Sequence, residues 1–195
     1  TPAEPAAPPA DLAFDPARPI ALPPPDLDDP APLMAALRDR HSAREFRPEQ
    51  LSLPLLSSLL WAATGVNRPE SGKRTAPTAR NRQDLDAYVA TAQGLFLYLP
   101  GPHQLQPVIR TDLRARTGKQ PFVGQAPLEL VFVSDLAKLG TPEREDGLVR
   151  AGSHAGFVSQ NVYLYCAAHG LATVVRAWFD RAELAAAIGL RPDQF

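Results

Sequence analysis

Residues 146–169 form the longest uninterrupted helical pattern in the chain, and they constrain its fold more than any other feature. The stretch is nearly apolar and rich in small residues, among them Ala151, Gly152 and Gly156, and Gly170 is placed to end it. A helix that is apolar on all sides lies either at the centre of a large core or against a partner. Small side chains let a second helix approach closely, so the sequence predicts a homodimer.

The apolar spacing predicts four further helices. The first covers residues 33–40, and the second begins after Ser52 as N-cap and ends at Gly65. A short helix is expected over residues 110–117, and the last one begins after Asp180 as N-cap. Because strand patterns alternate with these helices, the predicted fold class is α+β.

The strand patterns predict a mixed sheet flanked by the helices. Residues 84–108 read as strand, turn and strand, with the break at Gln93-Gly94 and a second turn at 100–101. Two apolar runs, "APLELVFVSD" and "LATVVRAWF", predict buried strands. Residues 65–83 show no periodicity and are strongly basic, and a loop of that length without structure of its own is typically functional or disordered.

The N-terminus differs from the rest in its proline content. Of the 22 prolines, 11 lie within the first 32 residues, so residues 1–31 are predicted to be an extended arm or linker before a domain spanning 32–195. The chain starts at Thr1 without a methionine, which favours an exported, periplasmic protein, with a cytoplasmic one as the alternative.

Composition and motif searches exclude several classes of protein. The net charge is −1, which points neither to nucleic acid nor to an anionic membrane, and no apolar run approaches the roughly 20 residues of a membrane span. Cys166 is the single cysteine, so an intramolecular disulfide and a cysteine-based zinc site are excluded, and no metal site is predicted. "ESGKRT" fails as a P-loop, "AGSHAG" fails as a nucleophile elbow, and there is no GxGxxG.

Two polar segments remain as candidates for function. In "RDRHSAREF", residues 38–46, Arg40, Ser42 and Arg44 alternate where the first helix ends, so an extended chain could aim two guanidinium groups and a hydroxyl at one anion. The alternative is a solvated helix end. The second segment, "APTARNRQ" at residues 76–83, is either a polar ligand-binding loop or an ordinary turn.

These segments resemble motifs of the nitroreductase family of FMN-dependent oxidoreductases. "RHSAREF" is similar to the family's R-[RH]-S-x-[RK]-x-F opening, and "APTARNRQ" to its P-[ST]-x-x-N-x-Q loop. "AGFVSQNVYLYCAAHGLATVV" resembles the family's long dimer helix and the strand that passes the flavin. The resemblance covers residues 32–195, and the loop after Gly65 is most similar to the SagB-type branch.

The resemblance implies roles for eleven residues. It places the FMN phosphate and ribityl chain on Arg40, His41, Ser42 and Arg44. It brings the ring edge to Pro77, Thr78, Asn81 and Gln83, and flavin N5 to Val175, Arg176 and Ala177. Arg176 would either favour the anionic reduced flavin or be an ordinary surface residue, so Asn81 and Arg176 are candidate tuners of the flavin.

The function implied is hydride transfer from NAD(P)H through flavin N5 to a small-molecule acceptor such as a quinone or a nitroaromatic compound. The flavin would lie at a dimer interface built from both subunits. The resemblance also implies a final C-terminal strand with a basic phosphate contact after "LRPDQF", so either the sequence is truncated there or the site lacks that contact. Two alternatives stay open: a flavin- or anion-binding module without turnover, and an unrelated α+β domain whose basic loop meets an acidic partner.

Overall fold

The computed structural model describes Leu12 and residues 14–28, 32–140 and 143–195. The helices within these ranges are α1 (Leu33–Asp39), α2 (Leu53–Thr64), α3 (Leu136–Leu139), α4 (Arg144–Ala168) and α5 (Arg181–Ile188). The strands are β1 (Ile20–Ala21), β2 (Val66–Arg68), β3 (Lys73–Arg74), β4 (Leu85–Thr91), β5 (Gly94–Leu99), β6 (Gln104–Ile109) and β7 (Glu129–Ser134). The fold class is α+β, as predicted.

Local capping explains where two of the helices begin. The Ser52 hydroxyl accepts the Leu55 N–H at 3.4 Å at the start of α2, and Asp180 accepts the Glu183 N–H at 2.9 Å at the start of α5. Both predicted N-caps are therefore confirmed. The short helix expected over 110–117 is a 3-10 turn at Arg114–Thr117.

The main sheet has the strand order β1-β6-β5-β4-β7, and all of its pairs are antiparallel. The prediction of a mixed sheet is therefore wrong for the described residues. The run "LATVVRAWF" forms no strand there, because its backbone bonds elsewhere: Thr173 O accepts the Ala43 N–H at 3.0 Å, and the Val175 N–H bonds Tyr163 at 3.0 Å.

The two faces of the sheet are covered by different helices. One face packs Val89 and Phe96 against Leu60 of α2, and α4 extends this layer. The other face packs Tyr88 and Leu95 against Leu184 and Ile188 of α5. The alternation of neighbouring residues between the two faces is the two-residue period of a strand.

Part of the proline-rich segment lies on the domain. Leu12 and Leu22 are buried, and β1 pairs with β6 at the edge of the sheet. The Phe14 ring lies 5.7 Å from that of Phe96. The prediction of separate units at 1–31 and 32–195 stays a prediction, since residues 1–11, 13 and 29–31 lie outside the described residues.

The basic segment 65–83 has more structure than the sequence suggested. β2 and β3 form a small hairpin within it, and a 3-10 turn covers Ala79–Asn81. The expectation that this segment lacks structure of its own is wrong, because Arg68 and Arg74 make backbone-directed hydrogen bonds that hold the hairpin.

The long helix α4 has two unlike faces. Its buried face carries Ala151, His154 and Val158, whereas Gly152 and Gly156 are exposed on the opposite face. A Cβ at either glycine would meet no atom within 4 Å. The helix is therefore half covered by its own chain, and its two glycines Gly152 and Gly156 face outward.

Candidate functional site

The strip of residues 40–44 leaves α1 with an extended backbone at Arg40, where φ is −58° and ψ is 118°. The Ser42 hydroxyl lies 2.8 Å from the Tyr163 hydroxyl of α4, and the Arg40 guanidinium lies 5.0 Å from the centre of the Tyr163 ring. A guanidinium over an aromatic face is held by cation–π attraction. Arg40 and Ser42, two positions apart in the strip, therefore both contact the Tyr163 side chain.

Tyr163 also holds the segment after α4. The Val175 N–H donates to the Tyr163 hydroxyl at 3.0 Å, and the Ala43 N–H donates to Thr173 O beside it. Arg40, Ser42 and Val175 are predicted site residues that lie far apart in sequence, and they meet at Tyr163. Sequence reasoning missed Tyr163. The feature that could have indicated it is a hydroxyl-bearing aromatic side chain within a largely apolar helical segment.

Two other members of the strip face solvent. The His41 Nδ1–H donates to the carbonyl oxygen of Asp39 at 2.8 Å, which fixes the orientation of the exposed ring. A hydrogen bond from Arg38 lowers the pKa of Asp39, so that carboxyl stays ionised beside the strip. Arg44 is exposed and leaves its charge available to a ligand.

Arg176 points into the protein and is not a surface residue. Its guanidinium pairs with Glu129 and donates to Thr117 O and Oγ1 at 3.3 and 3.2 Å, and the Arg176 side chain is only 9% exposed. Burial raises the pKa of Glu129 to about 7 even though Arg176 opposes this shift. The side chain is thus committed to an internal ion pair, so a contact from this residue to a flavin would have to come from its backbone. The neighbouring Ala177 is exposed.

The second predicted segment forms a tight loop with unusual backbone angles. Arg80, Asn81 and Gln83 have φ values of 53°, 54° and 48°, in the left-handed region that side chains disfavour. Thr78 Oγ1 accepts the Gln83 N–H at 2.9 Å, and Gln83 Nε2 donates to Asn81 Oδ1 at 3.3 Å. Pro77, at its start, is exposed. Local strain of this kind is concentrated at functional sites.

The loop and the strip lie against different parts of α4. The Ala79 N–H donates to His154, whereas Ser42 bonds Tyr163. Nine residues separate His154 from Tyr163, which is about 13.5 Å along a helix and half a turn in rotation. Within one chain the two predicted segments therefore contact opposite faces of α4 and do not meet.

A groove of about 1260 Å³ lies between α4, β7 and the segment that follows α4. Val175, Arg176 and Ala177 contribute to its wall, together with Leu130 and Phe132 of β7. Among the described residues, no helix is long and apolar enough to cross a membrane, and no three His, Cys, Asp or Glu side chains are grouped so as to hold a metal ion.

Comparisons with known proteins identify the family. The model of the nitroreductase family matches residues 37–195. A protein of Methanocaldococcus jannaschii that bears the nitroreductase name is 30% identical over 167 residues, covering 80% of this chain and 83% of the relative. The chain therefore belongs to the nitroreductase family, which supports a general oxidoreductase role.

Two solved structures extend this comparison. A protein from Ralstonia eutropha with the same family name is 42% identical and has a TM-score of 0.87. The match covers 97% of this chain and 89% of the Ralstonia chain. A second, from Desulfovibrio desulfuricans, was solved in complex with FMN. It is 21% identical with a TM-score of 0.59, and the match covers 83% of this chain and 78% of that one, so it supports the fold alone. Assignment to the SagB-type branch stays a prediction.

Proposed function

We propose that this protein is an FMN-dependent oxidoreductase that transfers hydride from NAD(P)H to a small oxidised acceptor, such as a quinone or a nitroaromatic compound. The observation that carries the proposal is that Arg40, Ser42 and Val175 all contact Tyr163. All three belong to the residues that the sequence predicted to bind the cofactor. A solvated helix end gives no reason for three such distant contacts.

The chemistry of the strip fits a phosphate group. Arg40 and Arg44 supply two permanent cations and Ser42 supplies a hydroxyl, and Arg40 and Ser42 already meet at the Tyr163 side chain. Charge-assisted hydrogen bonds to a phosphate contribute about 1.5–3 kcal/mol each. We assign the FMN phosphate to Arg40, Ser42 and Arg44, with His41 beside them.

The loop at residues 77–83 fits the edge of the flavin ring. The pyrimidine edge of FMN needs both donors and acceptors, and the Asn81 and Gln83 amides offer both. In the structure Gln83 Nε2 donates to Asn81 Oδ1 and to Gly72 O, so Asn81 Nδ2 and Gln83 Oε1 are the donor and the acceptor that we assign to a ligand. We assign the ring edge to Pro77, Thr78, Asn81 and Gln83.

When bound, FMN would accept and return a hydride at N5, and the protein's part is to hold the ring and to exclude water. Residues 175–177 line the groove in which the ring would lie. The Val175 N–H is already bound to Tyr163, so the N–H groups of Arg176 and Ala177 are the donors we assign to N5.

We further propose that the site is completed in a homodimer. Tyr163 lies seven residues after Gly156 and therefore on the same exposed face of α4, whereas the 77–83 loop contacts the opposite face. A partner chain packed against this face would bring its own loop towards the strip. Glycine inside a helix costs about 1 kcal/mol relative to alanine, and close approach of a second helix accounts for Gly152 and Gly156.

The test combines cofactor loading with turnover. The wild-type protein is loaded with FMN, desalted and assayed for oxidation of NADH or NADPH with a quinone or nitroaromatic acceptor. Arg44→Ala should weaken FMN affinity about tenfold to a hundredfold, the equivalent of one charge-assisted bond. Arg110→Ala, at an exposed position just after β6 and outside both the strip and the groove, is the matched control and should bind FMN like the wild type.

Each result bears on one part of the proposal. Retention of FMN with turnover supports the enzyme. Retention without oxidation of NADH or NADPH would contradict the enzyme and favour a binding module. If Arg44→Ala and Arg40→Ala both kept stoichiometric FMN, the phosphate assignment would be wrong.

A further inference from the structure

Asp84 and His154 form a buried polar pair that the proposed chemistry does not use. The Asp84 side chain is fully buried and that of His154 is 4% exposed, and Asp84 Oδ1 lies 2.6 Å from His154 Nδ1. The second carboxylate oxygen accepts the Ser134 hydroxyl at 2.7 Å. A buried carboxylate needs such partners, because an unpaired buried charge is strongly unfavourable.

The far side of the imidazole fixes which nitrogen carries the proton. The Ala79 backbone N–H donates to His154 Nε2 at 2.8 Å, and an N–H donor requires an acceptor without a proton. Nε2 is therefore the unprotonated nitrogen, so Nδ1 carries the proton and donates it to Asp84. The chain of bonds runs from Ser134 through Asp84 and His154 to Ala79, and every polar atom along it is satisfied.

Ala79 opens the strained part of the proposed flavin loop. It is the first residue of the 3-10 turn Ala79–Asn81, and two of the three residues of that turn have φ above +50°. A loop in this conformation persists only when its surroundings hold it there. The bond to His154 joins this turn to the rigid helix α4.

We propose that His154 is a positioning residue for the flavin: Asp84 keeps its Nε2 as an acceptor, and this nitrogen holds the Ala79 amide and, through it, the loop that carries Thr78 and Asn81. The inference rests on the assignment of that loop to FMN in the proposed function. His154 touches neither FMN nor substrate in this account, and it acts only through the backbone of the loop.

The first test examines the proton position in the wild-type protein. Nitrogen-15 NMR of the imidazole should show Nδ1 protonated and Nε2 as an acceptor coupled to the Ala79 amide. A proton on Nε2 would overturn the proposal, because it would place two donors against each other.

The second test loosens the loop. His154→Gln keeps an acceptor at the position of Nε2, His154→Leu removes it, and Ser153→Ala is the matched control on the exposed face of the same helix. Without FMN, amide hydrogen exchange in residues 77–83 should be at least tenfold faster in His154→Leu, and within threefold of wild type in the other two variants. Equal exchange in folded His154→Leu would overturn the proposal.

A third variant covers the case in which His154→Leu does not fold. Replacing Ala79 by lactic acid, its α-hydroxy analogue, turns the amide between Thr78 and Ala79 into an ester and so removes only the N–H donor that lies 2.8 Å from His154 Nε2. This variant should keep its melting temperature within a few degrees but lose at least tenfold in FMN affinity. Wild-type affinity in the ester variant would overturn the proposal.

These readouts separate the two proposals. If the wild type itself fails to bind FMN, the proposed function is wrong, whereas the exchange data still show whether His154 holds the loop. If the wild type binds FMN and His154→Leu binds it equally well with a loosened loop, the proposed function stands and the positioning role is refuted.

Discussion

Replacing Arg176 by methionine should destabilise the protein in a pH-dependent way. The Arg176 guanidinium pairs with Glu129, and their side chains are only 9% and 11% exposed. Methionine retains much of the apolar stem but removes the charge and the bonds to Thr117. The carboxyl of Glu129 would then be buried without its cation.

The size of the effect follows from the pKa of Glu129. Burial raises the pKa of Glu129 from 4.5 to about 7, so the folded protein favours the protonated carboxyl over the carboxylate. The stability that this preference contributes is complete below about pH 4.5 and is lost as the pH rises through about 7. Without Arg176 the pKa rises further, and each unit corresponds to about 1.4 kcal/mol. A further rise of about one unit adds about 1 kcal/mol of destabilisation at pH 8.5 and almost none at pH 5.5, where the Glu129 carboxyl is protonated with or without Arg176.

Urea unfolding at about pH 5.5 and pH 8.5 measures this difference. The double variant Arg176→Met with Glu129→Gln should lose the added pH dependence, because no ionisable group remains at the pair. If Arg176→Met lowered the free energy of unfolding equally at both pH values, Glu129 would not be the buried acid that we describe, and our view of Arg176 as an internal residue would be refuted.

Three further predictions concern the proposed site. Asn81→Ala should slow flavin reduction at least tenfold in stopped-flow measurements while changing FMN affinity less than threefold, and unchanged kinetics would leave Asn81 as a turn residue. Tyr163→Phe should lower the free energy of unfolding by about 1–3 kcal/mol, the value of the two hydrogen bonds to Ser42 and Val175, and weaken FMN binding. Tyr98→Phe, which loses a hydroxyl bond to His103 outside the groove, is the control and should leave FMN binding unchanged. A Cβ at position 156 would meet no atom of its own chain within 4 Å, so Gly156→Leu should convert a dimer to a folded monomer in analytical ultracentrifugation. A Gly156→Leu variant that stayed dimeric would place the interface elsewhere.

Local signals allowed much of the fold to be predicted from the sequence. Ser52 and Asp180 cap their helices through hydrogen bonds to residues three positions away. The start of each helix can therefore be predicted from residues that are close together in the sequence. The turns at Gln93-Gly94 and at 100–101 are local in the same way, and the strands they separate were found.

Long-range pairing could not be predicted in this way. The β-branched run in "LATVVRAWF" indicates a strand, yet a strand needs a neighbour, and the bonds of Thr173 and Val175 go to Ala43 and Tyr163 instead. The sequence left Arg176 as either a tuner of the flavin or a surface residue, because its internal partner Glu129 lies 47 positions away.

In the candidate site, too, the local features could be predicted from the sequence and the long-range contacts could not. The alternation of Arg40, Ser42 and Arg44 is visible in the sequence and suggests an anion, whereas the link from Ser42 to Tyr163 spans 121 positions. The buried bond from Ala79 to His154 spans 75 positions and leaves no trace in the spacing of either segment.

The central claim is that Arg40, Ser42 and Arg44 hold the phosphate of FMN. The most direct measurement is the visible absorption spectrum of the protein after it has been loaded with FMN or with riboflavin, which lacks the phosphate, and then desalted. Our account predicts a flavin band near stoichiometry with FMN and little or none with riboflavin. Equal retention of both flavins, or a colourless protein in both cases, would contradict it.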